Sequence, residues 1–303
     1  MTFDFDWVDA FCDRAFGGNG CAVVHQGAEL SDDICMAYVR ETSLVECTFT
    51  GPSDVADVRV RYFLASREIP FAGHPTIATV AAMRARGLIG DGPLVLETGA
   101  GLVPVTVQGS RVTMTQIAPQ FGAQVDTALV AAVGGGASPV TPKLPGGVTA
   151  DDIISPPQLV STGLPFVITV LKDRATLERL SFNPKALADL SVEMGSGTDM
   201  MEPFWCALEG FTDAGDTAAR LLLAPPSPPE DPFTGSATGA MASYLWAQGL
   251  IDAPEFTAEQ GHGLGRPGQA QVRVLGPRDA ITGVEVAGDG FVLMSGTANL
   301  PHG

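Results

Sequence analysis

The sequence predicts two similar domains that each combine helix with strand and pack face to face around a ligand cleft. Residues 68–89 read EIPFAGHPTIATVAAMRARGLI and residues 230–251 read EDPFTGSATGAMASYLWAQGLI, a constant offset of 162 with ten of the 22 positions identical. The register continues into residues 97–102 and 259–264. Two copies of a repeat with this offset are too few, and each copy is too large, for a solenoid array. A length of 303 residues fits two domains of ordinary size.

The elements of the first half are predicted from local signals on both sides of the repeated loop. Ser31-Asp32-Asp33 is typical of an N-cap with an acidic first turn, and it predicts a helix to about Glu41. Residues 76–86 are rich in Ala, Met and Arg and predict a second helix, which Gly87 ends. Apolar and β-branched runs predict strands near residues 7–12, 44–50, 59–64, 94–97 and 102–107.

The second half repeats this order after a connector. Residues 117–158 are rich in Pro and Gly and predict a linking segment, with a short helix at 126–133. Asn183-Pro184 predicts the start of another helix, because Pro suits the first helical position. Gly249 then ends the helix of the second copy, as Gly87 does in the first. Residues 283–300 hold two strand-like runs, which we expect to return to the first domain.

The composition limits the classes of partner. The chain is 45% apolar and carries 34 acidic against 17 basic residues, a formal charge of −17. That balance argues against nucleic acid and against an anionic membrane surface. The charge itself is most simply a solubility feature. Because the net negative charge of the chain repels anions, an anionic metabolite would have to be held by local hydrogen-bond donors.

Cysteine and histidine usage predicts neither a disulfide scaffold nor a metal site. The five cysteines are odd in number and form no CxxC pair, and the four histidines lack metal-ligand spacing. The N-terminal MTFDFDWVD is acidic and has no apolar core of a signal peptide. The most apolar run, at residues 164–171, is too short to span a bilayer. We therefore expect a cytoplasmic protein without a bound metal.

The repeated loop predicts an anion-binding device. A glycine at the turn into a helix leaves backbone N–H groups free, and the helix dipole favours an anion there. Gly73-His74 opens one helix and Gly235-Ser236 opens the other. If the halves face each other, both N-termini converge on one cleft and can hold a carboxylate or an enolate. The plainer alternative is that the glycines only permit the turn and that Ser236 is an N-cap.

The differences between the two copies indicate where an asymmetric ligand is recognised. His74 aligns with Ser236, and Ile69 aligns with Asp231, which is also compatible with a simple turn before proline. Glu46 is a lone carboxylate in the apolar run LVECTF, where burial would raise its pKa and suit it to act as acid and base. The alternative for Glu46 is a strand residue that points to water.

Together these segments resemble the PhzF family of phenazine-biosynthesis isomerases. The resemblance rests on five motifs spread in order over nearly the whole chain, of which the last two are the specific ones: Phe16-Gly-Gly-Asn19, Glu46-Cys-Thr-Phe49, Arg61-Tyr-Phe63, Glu68-Ile-Pro-Phe-Ala-Gly-His-Pro75 and Glu230-Asp-Pro-Phe-Thr-Gly-Ser-Ala237. It implies an α+β, diaminopimelate-epimerase-like fold with two pseudo-symmetric domains. In each domain a barrel-like mixed sheet wraps a central helix. The expected domains are residues 1–117 and 118–285, with a tail from about 286 to 303 returning to the first.

The same resemblance implies a function and a set of site residues. We expect a homodimeric, cofactor-independent isomerase that moves a proton on a small, dihydro-hydroxyanthranilate-like carboxylate. By position in the motifs, Glu46, His74 and Asp231 are the expected catalytic residues, and Asn19, Gly73, Gly235 and Ser236 are the expected substrate-binding residues. An epimerase or a catalytically idle ligand-binding protein using the same cleft are the alternatives.

Two departures bear on the substrate and on the chemistry. Val45 and Cys47 flank Glu46 where the family usually has Ser and Thr, and Gly20 stands where it has Pro, so the substrate stays open. Racemases of the same architecture need a cysteine just before each loop glycine. Those positions are Ala72 and Thr234 here, which excludes a two-thiol mechanism.

Overall fold

The computed structural model describes residues 1–137, 142–195, 202–225 and 227–301, and its strands form two barrels. In the first barrel the hydrogen-bonded ring runs β1-β2-β3-β4-β6-β7-β8-β17 and returns to β1, with parallel pairs at β2–β3 and β4–β6. Short β5 pairs with β4. The strands are β1 (Thr2–Ala10), β2 (Asn19–Val24), β3 (Cys47–Gly51), β4 (Val58–Phe63), β5 (Glu68–Ile69), β6 (Gly92–Thr98), β7 (Gly101–Gln108), β8 (Arg111–Gln116) and β17 (Gly283–Asn299).

The second barrel repeats the strand order of the first. The pairing runs β9-β10-β11-β12-β13-β15-β16-β17, with parallel pairs at β11–β12 and β13–β15 in the corresponding places. Short β14 pairs with β13, as β5 pairs with β4. The strands are β9 (Gln120–Gln124), β10 (Gln158–Ser161), β11 (Pro165–Leu171), β12 (Phe204–Ala207), β13 (Thr217–Leu222), β14 (Glu230–Asp231), β15 (Glu255–Gln260) and β16 (Gly268–Leu275).

Strand β17 belongs to both barrels. Its first part pairs with β16 and β8, and its second part, residues 290–299, pairs with β1. The two strand-like runs expected at residues 283–300 are therefore one continuous strand. The expected division into residues 1–117 and 118–285 stays a prediction, and the centre of the expected connector, residues 138–141, lies outside the described residues.

A helix fills each barrel. Helices α2 (Gly73–Ala85) and α6 (Gly235–Ala247) are buried over their first eleven residues each, which explains why neither shows an amphipathic pattern. Both end as expected. Gly87 and Gly249 have positive φ values of 70° and 68°, and the next residue's N–H returns to the helix in each copy, with N···O distances of 2.9 Å.

The remaining helices lie outside the barrels. Helix α1 (Asp32–Thr42) packs against β3 and β4, while α3 (Thr127–Val133), α4 (Arg174–Glu178) and α5 (Pro184–Glu193) cover the second barrel. The helices expected after Ser31, at residues 126–133 and after Asn183 are confirmed. Among the described residues, no helix has both the length and the apolar character needed to cross a membrane.

The glutamate shared by the two repeat copies has a structural role. Arg61 donates from Nε and Nη2 to the two carboxylate oxygens of Glu68, at 2.9 and 2.8 Å. Arg220 makes the same forked contact with Glu230, at 2.9 and 2.6 Å. A bidentate ion pair fixes the orientation of its two side chains as well as their distance. Each contact therefore holds in place the short strand, β5 or β14, that leads into the central helix.

Candidate active site

The two central helices begin against each other. A Cβ built on Gly73 would lie 2.7 Å from the Cα of Gly235, and one built on Gly235 would lie 2.7 Å from the ring of Phe11. The rings of Phe11 and Phe233 stack with centroids 4.3 Å apart, and Gln116 Nε2 donates to the Gly235 carbonyl at 2.9 Å. Two positive helix ends therefore point at one place, which favours negative charge there.

The structure brings all seven predicted site residues into this region. Contacts among them show that they lie close together, and their roles in catalysis and binding stay predictions. The set comprises Asn19, Glu46, Gly73, His74, Asp231, Gly235 and Ser236.

A cavity of about 260 Å³ opens between the halves at this point. Glu46 lines it from the first half, and Asp231 and Ser236 line it from the second. Polar groups at its border include Ser66, Arg67, Ser191, Glu202 and Ser227. The apolar part of the wall comes mostly from the second half and includes Leu64, Leu164, Phe166, Leu187, Leu221 and Leu223. A small ligand would thus meet two carboxyl groups beside an apolar surface.

Glu46 is buried, which decides the alternative that the sequence left open. Strand β3 begins at Cys47 rather than near Leu44, because α1 ends in the left-handed Ser43 and the next residues cross from helix to sheet. Glu46 lies in that crossing and is 8% exposed. Burial, and then the charge of Asp231, raises the pKa of Glu46 well above its ordinary value, so the group gives up its proton less readily than an exposed glutamate does.

His74 is a neutral neighbour of this carboxyl group. Burial lowers the pKa of His74 to about 3, against a smaller opposing effect of the Gly20 backbone. Its Nδ1 lies 3.0 Å from Asn19 Nδ2 and 3.6 Å from Glu46 Oε2. An amide nitrogen only donates, so Nδ1 is the acceptor in the contact with Asn19, and the ring proton is then on Nε2, which has no hydrogen-bond partner among the described residues. The lowered pKa leaves the imidazole uncharged beside Glu46.

Asn19 ties the first half to the second. Its Nδ2 donates to Asp231 Oδ1 at 2.5 Å and to the Phe233 carbonyl at 2.9 Å, besides its contact with His74. Three acceptors thus share the two N–H bonds of one amide. The substrate-binding role expected for Asn19 stays a prediction, and the contacts show a residue that joins the loops of the two halves.

Asp231 is buried but well supplied with donors. Thr234 Oγ1 donates to Asp231 Oδ2 at 2.6 Å, and Asn19 donates to Oδ1. Burial raises the pKa of Asp231 to about 7, while the hydrogen bonds from Thr234 and Asn19 act in the opposite direction. The two carboxyl groups therefore differ in their surroundings, because Asp231 has two hydrogen-bond donors that favour its carboxylate, whereas burial and the charge of Asp231 both disfavour the carboxylate of Glu46.

Sequence reasoning missed three residues that shape the site. Thr234 and Gln260 hold the turn at Asp231, and the only sequence signal was that Thr234 replaces Ala72 of the first copy. Arg266 follows the glycine-rich run 261–265, which superficially resembles a nucleotide loop. The run forms a short 3₁₀ turn, and Arg266 donates to the carbonyls of Gly17 and Gly18, each at 2.9 Å.

A second cavity of about 330 Å³ lies elsewhere along the seam between the halves. Arg14, Arg111 and His262 are among its lining residues, and none of the seven predicted site residues lines it. His262, which had no predicted partner, stacks on Phe211 with centroids 4.7 Å apart. The buried carboxyl group in this cavity, Glu259, accepts hydrogen bonds from the backbone N–H and the hydroxyl of Thr212, at 2.9 and 2.6 Å.

Comparison with known proteins identifies the family. The model of the family described as phenazine biosynthesis-like protein matches residues 8–296. The chain belongs to this family, the PhzF family. It is similar to trans-2,3-dihydro-3-hydroxyanthranilate isomerase of Pseudomonas aeruginosa, with 30% identity over 306 residues, covering 97% of this chain and 98% of the relative.

Two solved structures show the fold of this PhzF-family chain. A PhzF-family phenazine biosynthesis protein of Bacillus anthracis superposes with a TM-score of 0.81 at 25% identity and covers 99% of both chains. A predicted epimerase of Pseudomonas aeruginosa gives 0.76 at 28% identity, covering 98% of this chain and 99% of that one. The predicted epimerase-like fold is confirmed, and the chain is an isomerase of the PhzF family.

Proposed function

We propose that this PhzF-family isomerase moves a proton between two carbon atoms of a small carboxylate substrate, with Glu46 as the acid–base residue and without a cofactor. Glu46 lines the cavity beside two helix N-termini, and both burial and the charge of Asp231 raise its pKa, which favours a group that can donate a proton to the substrate. One group that both gives and accepts a proton leaves no net change in the protein, as an isomerisation requires.

The other site residues would bind the substrate carboxylate and control the proton of Glu46. The free N–H groups of the first turns, at Gly73 and Ser236, would hold the substrate carboxylate. His74 Nδ1, held neutral 3.6 Å from Glu46, keeps an acceptor beside the moving proton. Asp231, with both oxygens hydrogen-bonded, would bear the negative charge that keeps Glu46 protonated. A homodimer and a cytoplasmic location, which the family resemblance implies, are part of the same proposal.

The observation that carries the proposal is the buried position of Glu46 in the cavity wall, at the meeting point of the two repeats. Its test is proton exchange in D₂O with trans-2,3-dihydro-3-hydroxyanthranilate, the substrate in the name of the Pseudomonas aeruginosa relative. We expect the wild-type enzyme to incorporate deuterium into the product and Glu46→Gln to lose about 10²- to 10⁴-fold in rate.

Glu41→Gln is the matched control, because it makes the same chemical change on exposed helix α1. It should exchange at the wild-type rate. Full exchange by Glu46→Gln would remove Glu46 from the mechanism. If wild-type protein leaves this compound unchanged, the same comparison applies to other cyclic and acyclic carboxylates with an acidic C–H bond.

An epimerase is the second candidate, and one observation favours it. Glu46 from the first half and Asp231 from the second line the same cavity, so one ligand would meet two acid–base groups from different halves. Deuterium at a carbon whose configuration inverts, with no shifted double bond, would decide for the epimerase.

A further inference from the structure

The polar groups around Asp231 have no counterpart in the first copy of the repeat. Asp231 aligns with Ile69, Thr234 with Ala72, and Gln260 with Thr98. The three residues of the second copy are buried and touch one another. Residues needed only for folding would be expected at the same positions in both halves. The cluster therefore indicates a function that is specific to the second half.

Gln260 closes the turn that carries Asp231. Its Oε1 accepts from the backbone N–H of Thr234 at 3.0 Å, and its Nε2 donates to the backbone carbonyl of Asp231 at 2.8 Å. The side chain is 1% exposed. Both ends of one amide thus hold the two ends of the turn between β14 and α6, which fixes the direction in which the Asp231 side chain leaves the backbone.

The same amide fixes the direction of a hydroxyl proton. Gln260 Nε2 also lies 3.2 Å from Thr234 Oγ1, and an amide nitrogen only donates. Thr234 Oγ1 therefore accepts from Gln260, and its own proton is directed to Asp231 Oδ2 at 2.6 Å. With Asn19 donating to Oδ1, both oxygens of Asp231 accept hydrogen bonds. That pattern stabilises the carboxylate over the carboxylic acid.

We propose that Thr234 and Gln260 are positioning residues that hold Asp231 as an oriented carboxylate beside Glu46. The inference rests on the proposed function, in which Asp231 is the anionic partner of a protonated Glu46. Thr234 occupies the position where two-thiol racemases of this architecture need a cysteine, so here the same turn supports a carboxylate instead of supplying an acid–base thiol. Gln260 acts through the turn and through the Thr234 hydroxyl, without contacting the Asp231 carboxylate itself.

The test measures the titration of Asp231 directly, without a substrate. Protein labelled with ¹³C at aspartate carboxyl carbons is titrated by NMR, and the Asp231 signal is the one that Asp231→Asn removes. We expect Thr234→Val to move its titration upward by about one pH unit, as loss of one hydrogen bond to a charged group implies. Gln260→Met should move it in the same direction by less, and Thr234→Ser should restore the wild-type value.

Thr162→Val is the matched control. Thr162 Oγ1 donates to Gln116 Oε1 at 2.6 Å, which makes a second buried Thr–Gln pair at the start of α6 that does not contact Asp231. It should lower stability without moving the Asp231 titration. An unchanged titration in both Thr234→Val and Gln260→Met, or an equal shift in Thr162→Val, would overturn the proposal. If Thr234→Val does not fold, Gln260→Met and Thr234→Ser decide.

An activity readout separates this inference from the proposed function. Once a substrate is known, Thr234→Val should lower kcat about tenfold or more with little change in KM, and its kcat/KM inflection should shift with the NMR titration. A fully active Glu46→Gln enzyme would defeat the proposed function while leaving the measured titration of Asp231 as it is. A shifted titration without any change in kcat would overturn the positioning role.

Discussion

The Arg266 guanidinium lies 2.7 Å from Asp9 Oδ1, and this contact joins the end of strand β1 to the loop that precedes β16. Asp9 is fully buried and also accepts from the Phe16 N–H at 2.8 Å. With the carbonyls of Gly17 and Gly18, one arginine thereby holds the loop that leads to Asn19. The ion pair between Arg266 and Asp9 therefore connects the two halves beside the proposed active site.

Arg266→Met should destabilise the protein by about 3 kcal/mol, because it leaves the Asp9 carboxylate buried without its cation. The double variant Asp9→Asn with Arg266→Met should recover part of that loss, since no buried charge then remains. Urea unfolding of the two single variants and the double variant measures the coupling. Additive losses would show that the contact between the two side chains contributes nothing of its own.

Gly73→Ala should lower the free energy of unfolding by about 1–3 kcal/mol and abolish activity, because its methyl group would overlap the start of α6. Gly90→Ala is the matched control. A Cβ there meets nothing within 4 Å, so stability and activity should be unchanged. Thermal unfolding and deuterium exchange measure both variants, and a fully stable Gly73→Ala protein would contradict the close approach of the two helices.

Asp231 makes stability depend on pH in a predictable direction. Its folded pKa of about 7 is above the ordinary value of 3.8, so the folded state binds this proton more tightly than the unfolded state. The corresponding stability is present at pH values below 3.8 and is lost as pH rises towards 7. Asp231→Asn lacks this titration.

Relative to wild type, Asp231→Asn should therefore gain at least about 1 kcal/mol between pH 5 and pH 8, since one pKa unit corresponds to about 1.4 kcal/mol. Urea unfolding at both pH values gives the comparison, and Asp189→Asn, at an exposed position of helix α5, is the control for a surface carboxylate. A constant difference between wild type and Asp231→Asn would place the Asp231 carboxyl in a well-hydrated setting.

Asp6 should show the opposite pH dependence. Burial alone would raise its pKa, but hydrogen bonds from Arg86, Ser295 and His25 lower it below its ordinary value of 3.8. The group is 1% exposed, and His25 Nε2 and Ser295 Oγ lie 2.8 and 2.5 Å from it. Its stabilisation is present above pH 3.8 and is lost as pH falls through the lowered folded pKa.

Asp6→Asn should accordingly be less stable than wild type at pH 7, and the difference should shrink below pH 4. Ser295→Ala tests the part of the cluster that holds the C-terminal strand, with an expected loss of about 1 kcal/mol. Circular dichroism during acid titration follows both variants. A difference that stays the same at all pH values would mean that the carboxylate charge plays no part in this cluster.

Local patterns were enough to predict several elements. The proline after Asn183 and the glycines at 87 and 249 act through their own backbone neighbours, so the helix ends they set are where the sequence predicts them. The helix expected after Ser31 also forms, although the Ser31 side chain makes no cap hydrogen bond. Glu46 stood out as a carboxyl group in an apolar run. The burial of Glu46 could not be predicted, because it depends on residues of the opposite half that lie next to the start of β3.

Contacts between distant residues account for what sequence reasoning missed. Asn19 and Asp231 are 212 residues apart, and Gly18 and Arg266 are 248 apart, so neither pair leaves a local pattern. The sequence predicted two runs where β17 is one continuous strand. This strand changes its pairing partner midway, from β16 to β1, and no turn in the sequence marks that change. The contact of Gln260 with the Asp231 turn likewise needs the pairing of β13 with β15.

The amino-acid sequence by itself determined the duplication, the starts and ends of the main helices and the residue types available for proton transfer, since these follow from short-range chemistry. The tertiary structure decided which of those residues meet, which are dehydrated and in which direction the pKa of each carboxyl group is shifted. Charge state depends on distance and water access in three dimensions, and a linear order of residues specifies neither.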